Sequence, residues 1–325
     1  MKEKTCKSTL LLTSSLLLFL LCAMPVFSAP REMIMAGGPA GGTFQLVAES
    51  IHAYRKIKDN KEFTIKAQPS AGSVDNLQAV NGGKADFGVV HAGHLYLGRN
   101  GLLQNDPTKY QKVLAIASLY GSPAQLVVRK GAGIKNVKDL AGKKVGVGNA
   151  GSGAYANCEL FFKHLGIWNK IDRTLLGYND AATAFVNGQL DAFWLFTAYP
   201  SSAVIIASQA KNNIDIIDLD AEAKVSGFYK KYPYFARLSI PSRTYAGVNH
   251  ATPTFQDSSL LVANAEIPED IVYKLLATIY SERGLAYMAK QKETFREMQV
   301  ATGTRGIVTP MHPGAVRFWK KIGLL

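Results

Sequence analysis

Cysteine is almost absent from this 325-residue chain, which has only Cys6, Cys22 and Cys158. The first two fall in a leader-like start, so a mature chain keeps Cys158 alone and no intramolecular disulfide can form. A disulfide-stapled scaffold is thereby excluded. Charged residues make up only 19% against 47% hydrophobic, which excludes a disordered chain. After the first thirty residues no apolar run is long enough to span a bilayer. The glycine-rich stretch 146–151 lacks the Lys-Ser/Thr of a phosphate loop, and no GxGxxG with a distal acid is present. No GxSxG stands at a strand end, which argues against a hydrolase nucleophile elbow. No Lys/Arg run is interleaved with aromatics, and export also disfavours nucleic acid as a partner. There is no low-complexity tract and no repeat period.

What is present starts with targeting. Lys2, Lys4 and Lys7 form a basic start, 10–12 and 16–22 form an apolar stretch, and small Ser28 and Ala29 follow at a position suited to cleavage. Thr13, Ser14 and Ser15 interrupt the stretch and Pro25 closes it, so it is short for a retained membrane helix. Bulky Leu21 before Cys22 speaks against a lipoprotein. The expectation is a signal peptide over 1–28, cleaved near Ser28, and a periplasmic mature protein. The formal charge is +13, or about +11 once the three Lys and one Glu of 1–28 are removed. This reads either as a soluble basic surface or as a field that attracts an anionic ligand or an acidic or membrane-surface partner.

Three stretches share one pattern: an apolar strand-like run, a Gly/Ser/Thr cluster, then helix-period residues. They are 33–44 (MIMAGGPAGGTF), 63–77 (FTIKAQPSAGSVDNL) and 144–158 (KVGVGNAGSGAYANC). Each such junction leaves backbone N–H groups free at a helix start, where the helix dipole favours an anion. Glycine and serine also serve tight turns with no ligand near.

Elsewhere the periods predict strands at 33–36, 63–68, 87–90, 114–119, 125–128, 145–147, 192–196 and 214–219. The strands 114–119 and 125–128 read as separate, joined by a turn at Gly121-Ser122-Pro123. Helices are expected over 43–58, from Ser73 as cap to Gly82, around Ala154 to Gly166, from an Asn179 or Asp180 cap to Gly188, after Pro200, and over 268–280 and 313–321. Strands alternating with helices imply an α/β protein with parallel sheets and right-handed crossovers. Two lobes follow: lobe I from 29–120 plus 236–325, and lobe II from 121–235. All the glycine junctions lie beyond strand carboxyl ends, where open α/β sheets bind ligands.

The chain resembles the TAXI-type solute receptors of tripartite ATP-independent periplasmic (TRAP) transporters. The resemblance runs from about 33 to 319. It rests on GGPAGGTF, SAGSVDNL followed by NGGKADFGVV, AIASLYGSPAQLVV, KDLAGKKVGVGNAGSGAYAN, GQLDAFW with TAYP, YPYF with IPSRTY, and Pro310-Met311-His312-Pro313-Gly314-Ala315. It implies a two-lobed type II periplasmic-binding-protein fold with a hinge and an interlobe cleft. It also implies a receptor that captures a small carboxylate, such as a glutamate-like amino acid or a 2-oxo dicarboxylate, and delivers it to a membrane permease. By the same resemblance Gly41, Gly42, Thr43, Phe44, Ser70, Gly72 and Ser73 contact ligand from one side. Gly151, Ser152, Gly153 and Ala154 face them from the other. The chain departs from the family's pattern at His91-Ala92-Gly93 and at Tyr199 before Pro200.

Several side chains carry two readings. His91, at a strand end, is either a ligand donor or a satisfied polar residue. His94 lies three residues on, but no third ligand is evident and no metal is expected. Thr197 and Tyr199 follow a strand into the expected cleft, where Tyr199 can stack on or hydrogen-bond a ligand. Phe193, Trp194 and Phe196 read as sheet core. Cys158 reads as helix core rather than nucleophile, and His312 as a brace for the last helix. No cofactor is expected. The other function classes are an exported enzyme on the same fold, for which only His91 is a candidate, and a ligand-sensing partner of a membrane signalling protein.

Overall fold

The computed structural model describes residues 31–57, 62–104, 106–209 and 213–325. The expected signal peptide over 1–28, with Cys6 and Cys22, lies outside the described residues. Strands and helices alternate from the start: β1 (Arg31–Ala36), α1 (Thr43–Ile57), β2 (Phe63–Gln68), α2 (Ser73–Asn81), β3 (Phe87–His91) and α3 (Ala92–Asn100). The apolar period of α1 sets its buried face, with Phe44, Val47, Ile51 and Tyr54 all turned inward. β2 buries Phe63 and Ile65 and exposes Thr64 and Lys66, as suits the strand at the edge of a sheet. β1 runs parallel to both β2 and β3.

β4 corrects the sequence reading. It is one strand of 17 residues, Val113–Arg129, rather than two strands around a turn. The reason is tertiary. β10 (Thr252–Asn264) lies antiparallel along it, with Gln256 opposite Pro123, Asp257 opposite Ser122 and Ser258 opposite Gly121. The Ser122 and Ser259 hydroxyls meet at 2.8 Å between the strands. A Cβ at 121 would stand 2.0 Å from Gln256 Oε1, so the Gln256 side chain lies over this glycine. Pairing overrides local turn chemistry here.

Between these two long strands the chain builds a second α/β unit. It contains β5 (Lys144–Gly146), α4 (Gly153–His164), β6 (Asp172–Thr174), α5 (Tyr178–Val186), β7 (Ala192–Phe196) and α6 (Ser202–Gln209). β8 (Ile214–Ile216), α7 (Asp220–Val225), α8 (Phe228–Lys231) and β9 (Ala236–Ile240) lead back to β10. β5 is parallel to β6 and β7, while β7 is antiparallel to the far half of β4. After β10 come α9 (Glu269–Ile279), α10 (Glu282–Gln291) and α11 (Pro313–Lys321). Among the described residues the strand order is β2-β1-β3-β10-β4-β7-β5-β6, with β8 beside β4 and β9 beside β10. The sheet is thus mixed: parallel in each flank and antiparallel where β4 and β10 cross between the flanks.

The cores lie apart. One gathers Leu126, Val145, Phe161, Phe162, Phe185, Trp194 and Phe228 around Phe255 of β10. Two others cover opposite faces of the first sheet half. One holds Val47, Leu275 and Trp319, and the other holds Leu77, Leu95 and Val262. Cys158 is fully buried in the first of these and burial raises its thiol pKa, which makes it a core residue and not a nucleophile. His312 caps α11: its Nδ1 accepts from Gly314 N–H at 3.1 Å, and Nε2 lies 3.0 Å from the Ile267 carbonyl.

Asp257 is the one charged group buried at the strand crossing. Its carboxylate accepts from Gly93 N–H at 2.9 Å and Ser258 N–H at 2.7 Å. Burial nevertheless pushes its pKa up to about 7. An unfolded aspartate releases its proton near 3.9, so between about 4 and 7 the unfolded chain holds fewer protons and stability falls as pH rises. His94, lowered by burial to about 4, acts with the opposite sign, losing stability as pH falls below 6.5. Comparison with Asp257→Asn cancels the histidine contribution. Urea melts from pH 4.5 to 7.5 are expected to show wild type losing stability relative to this variant as pH rises; parallel profiles would refute the buried carboxyl's titration.

Candidate functional site

Five helices begin at one cleft between the two sheet halves. Thr43 and Phe44 open α1, Ser73 opens α2, Gly153 and Ala154 open α4, Tyr178 opens α5, and His91 stands at the N-cap of α3. Each start turns the positive end of its dipole inward, although the first turn of α3 is already met by the Asp257 carboxylate at Gly93 N–H. The cleft is nearly shut, with a free volume of about 20 Å³, room for about one water molecule.

The sequence explains the convergence. Each lining helix but α3 follows a glycine-bearing turn at a strand's carboxyl end. Ser152 caps α4 by accepting from Tyr155 N–H at 2.9 Å. Two expected caps are corrected. α2 is entered at Gly72, whose φ of 123° no other residue adopts readily, and not capped by Ser73. Ser73 Oγ instead accepts from His91 N–H at 2.9 Å and lies 3.0 Å from His94 Nδ1. α5 starts after Gly177 rather than an Asn179 or Asp180 cap, and this places Tyr178 in the cleft. Asn76 ties the first wall together, donating to the Gly37 and Val89 carbonyls at 2.7 Å.

Of the residues expected from sequence, Gly42, Thr43, Phe44, Gly72, Ser73, His91, Ser152, Gly153, Ala154 and Thr197 line this cleft. Four lie beside it. Gly41 and Gly151 line two separate grooves next to it, Gly41 with Ser202 and Lys292, Gly151 with Tyr155 and Glu159. Ser70 braces the first glycine loop, donating to Gly37 O at 3.1 Å. Tyr199 packs against the core of the second α/β unit, and its carbonyl accepts from Thr294 Oγ1 at 2.8 Å. Pro39, Ala71, Tyr178 and Phe196 complete the lining and were not anticipated as ligand contacts. Phe196 is both sheet core and cleft wall, a double role that its apolar run does not announce.

The walls touch. Asp75 N–H reaches Gly151 O at 3.2 Å, Asn149 Nδ2 reaches Ala71 O at 3.3 Å, and Thr197 Oγ1 reaches Thr43 Oγ1 at 3.1 Å. Lys292 and Thr294 hold the carbonyls of Pro200 and Tyr199 at 2.7 and 2.8 Å. This is a closed arrangement.

Fourteen residues line the cleft, and none is Asp, Glu, Lys or Arg. Burial lowers the His91 pKa well below 6.5, with His94 adding to the effect, so the imidazole is neutral. Its ring packs 4.8 Å from Phe44 and 4.9 Å from Phe196, and its buried Nδ1 has no hydrogen-bond partner. Burial also keeps the Tyr178 phenol protonated, and it donates to Phe196 O at 3.0 Å. No general base is paired with a nucleophile here. Among the described residues no three His, Cys, Asp or Glu side chains are grouped to hold a metal ion.

The model of the NMT1-like family matches residues 35–323. The chain belongs to the NMT1-like family. Among solved structures it is similar to malate-bound MatC from Rhodopseudomonas palustris, at 20% identity and TM-score 0.53 over 84% of this chain and 90% of that one. A protein from Bordetella bronchiseptica RB50 matches at 17% identity and TM-score 0.52, over 90% and 98% of the two chains. The periplasmic aliphatic sulphonate binding protein SsuA from Escherichia coli follows at 16% identity and TM-score 0.49, over 90% and 84%. The fold is therefore the two-lobed α/β fold of periplasmic binding proteins, as expected from the sequence. Among the described residues no helix is long and apolar enough to cross a membrane.

Gly153 is where this NMT1-like chain's closure is most exposed to test. A Cβ there would sit 2.7 Å from His91 Cδ2 and 2.8 Å from Ser73 Cβ on the opposite wall. Alanine is otherwise favoured in a helix. Gly153→Ala is expected to hold the walls apart with no loss of thermal stability, read as a larger radius of gyration in small-angle scattering. Scattering identical to wild type would mean that the walls do not meet at Gly153.

Proposed function

We propose that this protein is a periplasmic solute receptor that captures a small carboxylate by lobe closure and passes it to a membrane permease. The observation that carries this reading is a closed, uncharged cleft ringed by the starts of five helices. Inward N–H groups and helix dipoles bind an anion without a cationic side chain. The carboxylate would lie near Gly42, Thr43 and Ser73, with Ser152, Gly153, Ala154 and Thr197 closing on its other end. Malate bound to the similarly folded MatC is consistent with such a solute. The order of the motifs from GGPAGGTF to the Pro310–Ala315 stretch supports a TAXI-type receptor of a TRAP transporter. In this reading the signal peptide over 1–28 is removed near Ser28.

The lobes divide where β4 and β10 cross. Lobe I holds the chain up to about 120 and the part after β10, and lobe II holds the segment between. Tyr245, Val248 and Phe255 pack in the core of the second α/β unit, so we place the return to lobe I within β10 rather than at 236. Gly41, Ser70, Gly151 and Tyr199 act as supports beside the ligand. An enzyme on this fold is disfavoured because His91 has no catalytic partner in the cleft.

A thermal-shift screen of mono- and dicarboxylates on the mature protein tests the reading. A true ligand raises the melting temperature progressively with concentration, adding about 2.7 kcal/mol of stability at 100 times Kd. No stabilising carboxylate would refute the anion cleft. Uptake into vesicles that carry the permease is expected without ATP; strict ATP dependence would refute the TRAP assignment.

A further inference from the structure

The IPSRTY motif, 240–245, ends β9 and enters the turn toward β10, and none of its residues lines the cleft. The turn is tightly built. Arg243 N–H donates to the Val248 carbonyl at 2.9 Å, and Thr244 Oγ1 donates to the Pro241 carbonyl at 2.7 Å. Among the described residues Arg243 is the one non-glycine with a positive φ, 63°, a conformation that persists only where the surroundings hold it. The turn delivers the Tyr245 side chain, 3% exposed, into the core of the second α/β unit.

The Tyr245 hydroxyl is used in both directions. It accepts from Ser201 N–H at 2.9 Å and donates to Gln125 Oε1 at 2.6 Å. Burial raises its pKa, so the phenol keeps the proton it donates. Gln125 is fully buried on β4, opposite Leu195 of β7, where an apolar side chain is the ordinary choice. With its oxygen taken by Tyr245, its amide nitrogen donates to the Thr197 carbonyl at 3.0 Å. The direction of this chain is fixed at both ends, because a backbone carbonyl only accepts and a backbone N–H only donates. Both ends fall on one short segment, at Thr197 and at Ser201. A buried polar pair costs free energy unless every member is paired, and here the pairing is spent on placing that segment.

The same segment is where the walls meet. Thr197 Oγ1 donates to Thr43 Oγ1 at 3.1 Å, and Ser202 Oγ donates to the Gly41 carbonyl at 3.3 Å. Resting on the receptor reading above, we infer that Tyr245, acting through Gln125, is a positioning residue for closure. It holds 197–201 where Thr197 reaches Thr43 across the cleft.

Hydrogen exchange read by mass spectrometry on the unliganded mature protein tests the inference, with Tyr245→Phe and, separately, Gln125→Met. Each variant removes one polar link and keeps the side chain's size. Both are expected to exchange about tenfold faster at 197–202 and, across the cleft, at 41–46, while 158–164 in α4 keeps the wild-type rate. Unchanged exchange at 197–202 overturns the inference. Faster exchange there with none at 41–46 also overturns it, because the clamp then fails to reach the opposite wall. Equal acceleration at 158–164 overturns it too, and makes the pair an ordinary brace of the core. The exchange is read without ligand, so all of these outcomes leave the carboxylate reading to the thermal-shift screen.

Discussion

The antiparallel ladder between β4 and β10 is the constraint on which the rest of the molecule hangs. Both strands run through both halves of the sheet, and only there does the chain pass from one core to the other within a strand. Their central residues are Gly121-Ser122-Pro123 and Gln256-Asp257-Ser258-Ser259, a poor sequence for a rigid strand interior. Two register shifts fall nearby, between Ser259 and Leu260 and between Leu261 and Val262. Strong apolar pairing on either side of a polar, bulged middle is what a hinge requires. The chain stays bonded through the crossing while few apolar contacts resist bending there.

That topology also decides the electrostatics. Parallel strands on each side of the crossing point their carboxyl ends at the same gap, and the helices that follow begin there. Positive helix ends therefore collect without any lysine or arginine being spent on the cleft. Each dipole is worth about 0.3–1 kcal/mol when exposed and up to about 2 when partly buried. Together they would supply a large share of the roughly 8 kcal/mol that the proposed binding needs at micromolar affinity. Fixed backbone donors have a further merit: they need no reordering of long side chains when the ligand arrives.

Much of this was legible in the sequence because it is local. The Gly/Ser/Thr junctions mark turns whose conformations only certain residues adopt, and ten of the fourteen expected contacts line one cleft. β2, β7 and α11 fall where their periods put them. What escaped notice was tertiary. β10 hides because Gln256-Asp257-Ser258-Ser259 interrupts its apolar run, and the long β4 hides because Gly121-Ser122-Pro123 reads as a turn. Tyr178 escaped because the helix start was placed at the better capping residues Asn179 or Asp180, whereas Gly177 provides the entry. Tyr199 occupies a strand-end position suited to a ligand contact, yet the loop that carries it is drawn toward Lys292 and Thr294 instead.

The contacts that hold the walls together are individually weak. The three hydrogen bonds that join the glycine-rich loops are neutral and 3.1–3.3 Å long. Water replaces such bonds when the cleft opens, so each contributes only about 0.5–1.5 kcal/mol net. Lys292 is a stronger tether, but it sits in a flanking groove and binds a neutral carbonyl. Closure also leaves the His91 Nδ1 atom buried and unpaired, which costs about 1–3 kcal/mol. The empty closed state is thus balanced within a few kcal/mol of the open one. Shifting such a balance from 1:99 to 99:1 takes about 5.5 kcal/mol of differential affinity. In the proposed reading, an anion that bridges helix starts on both walls would gain that energy only when the walls meet, which would couple capture to closure.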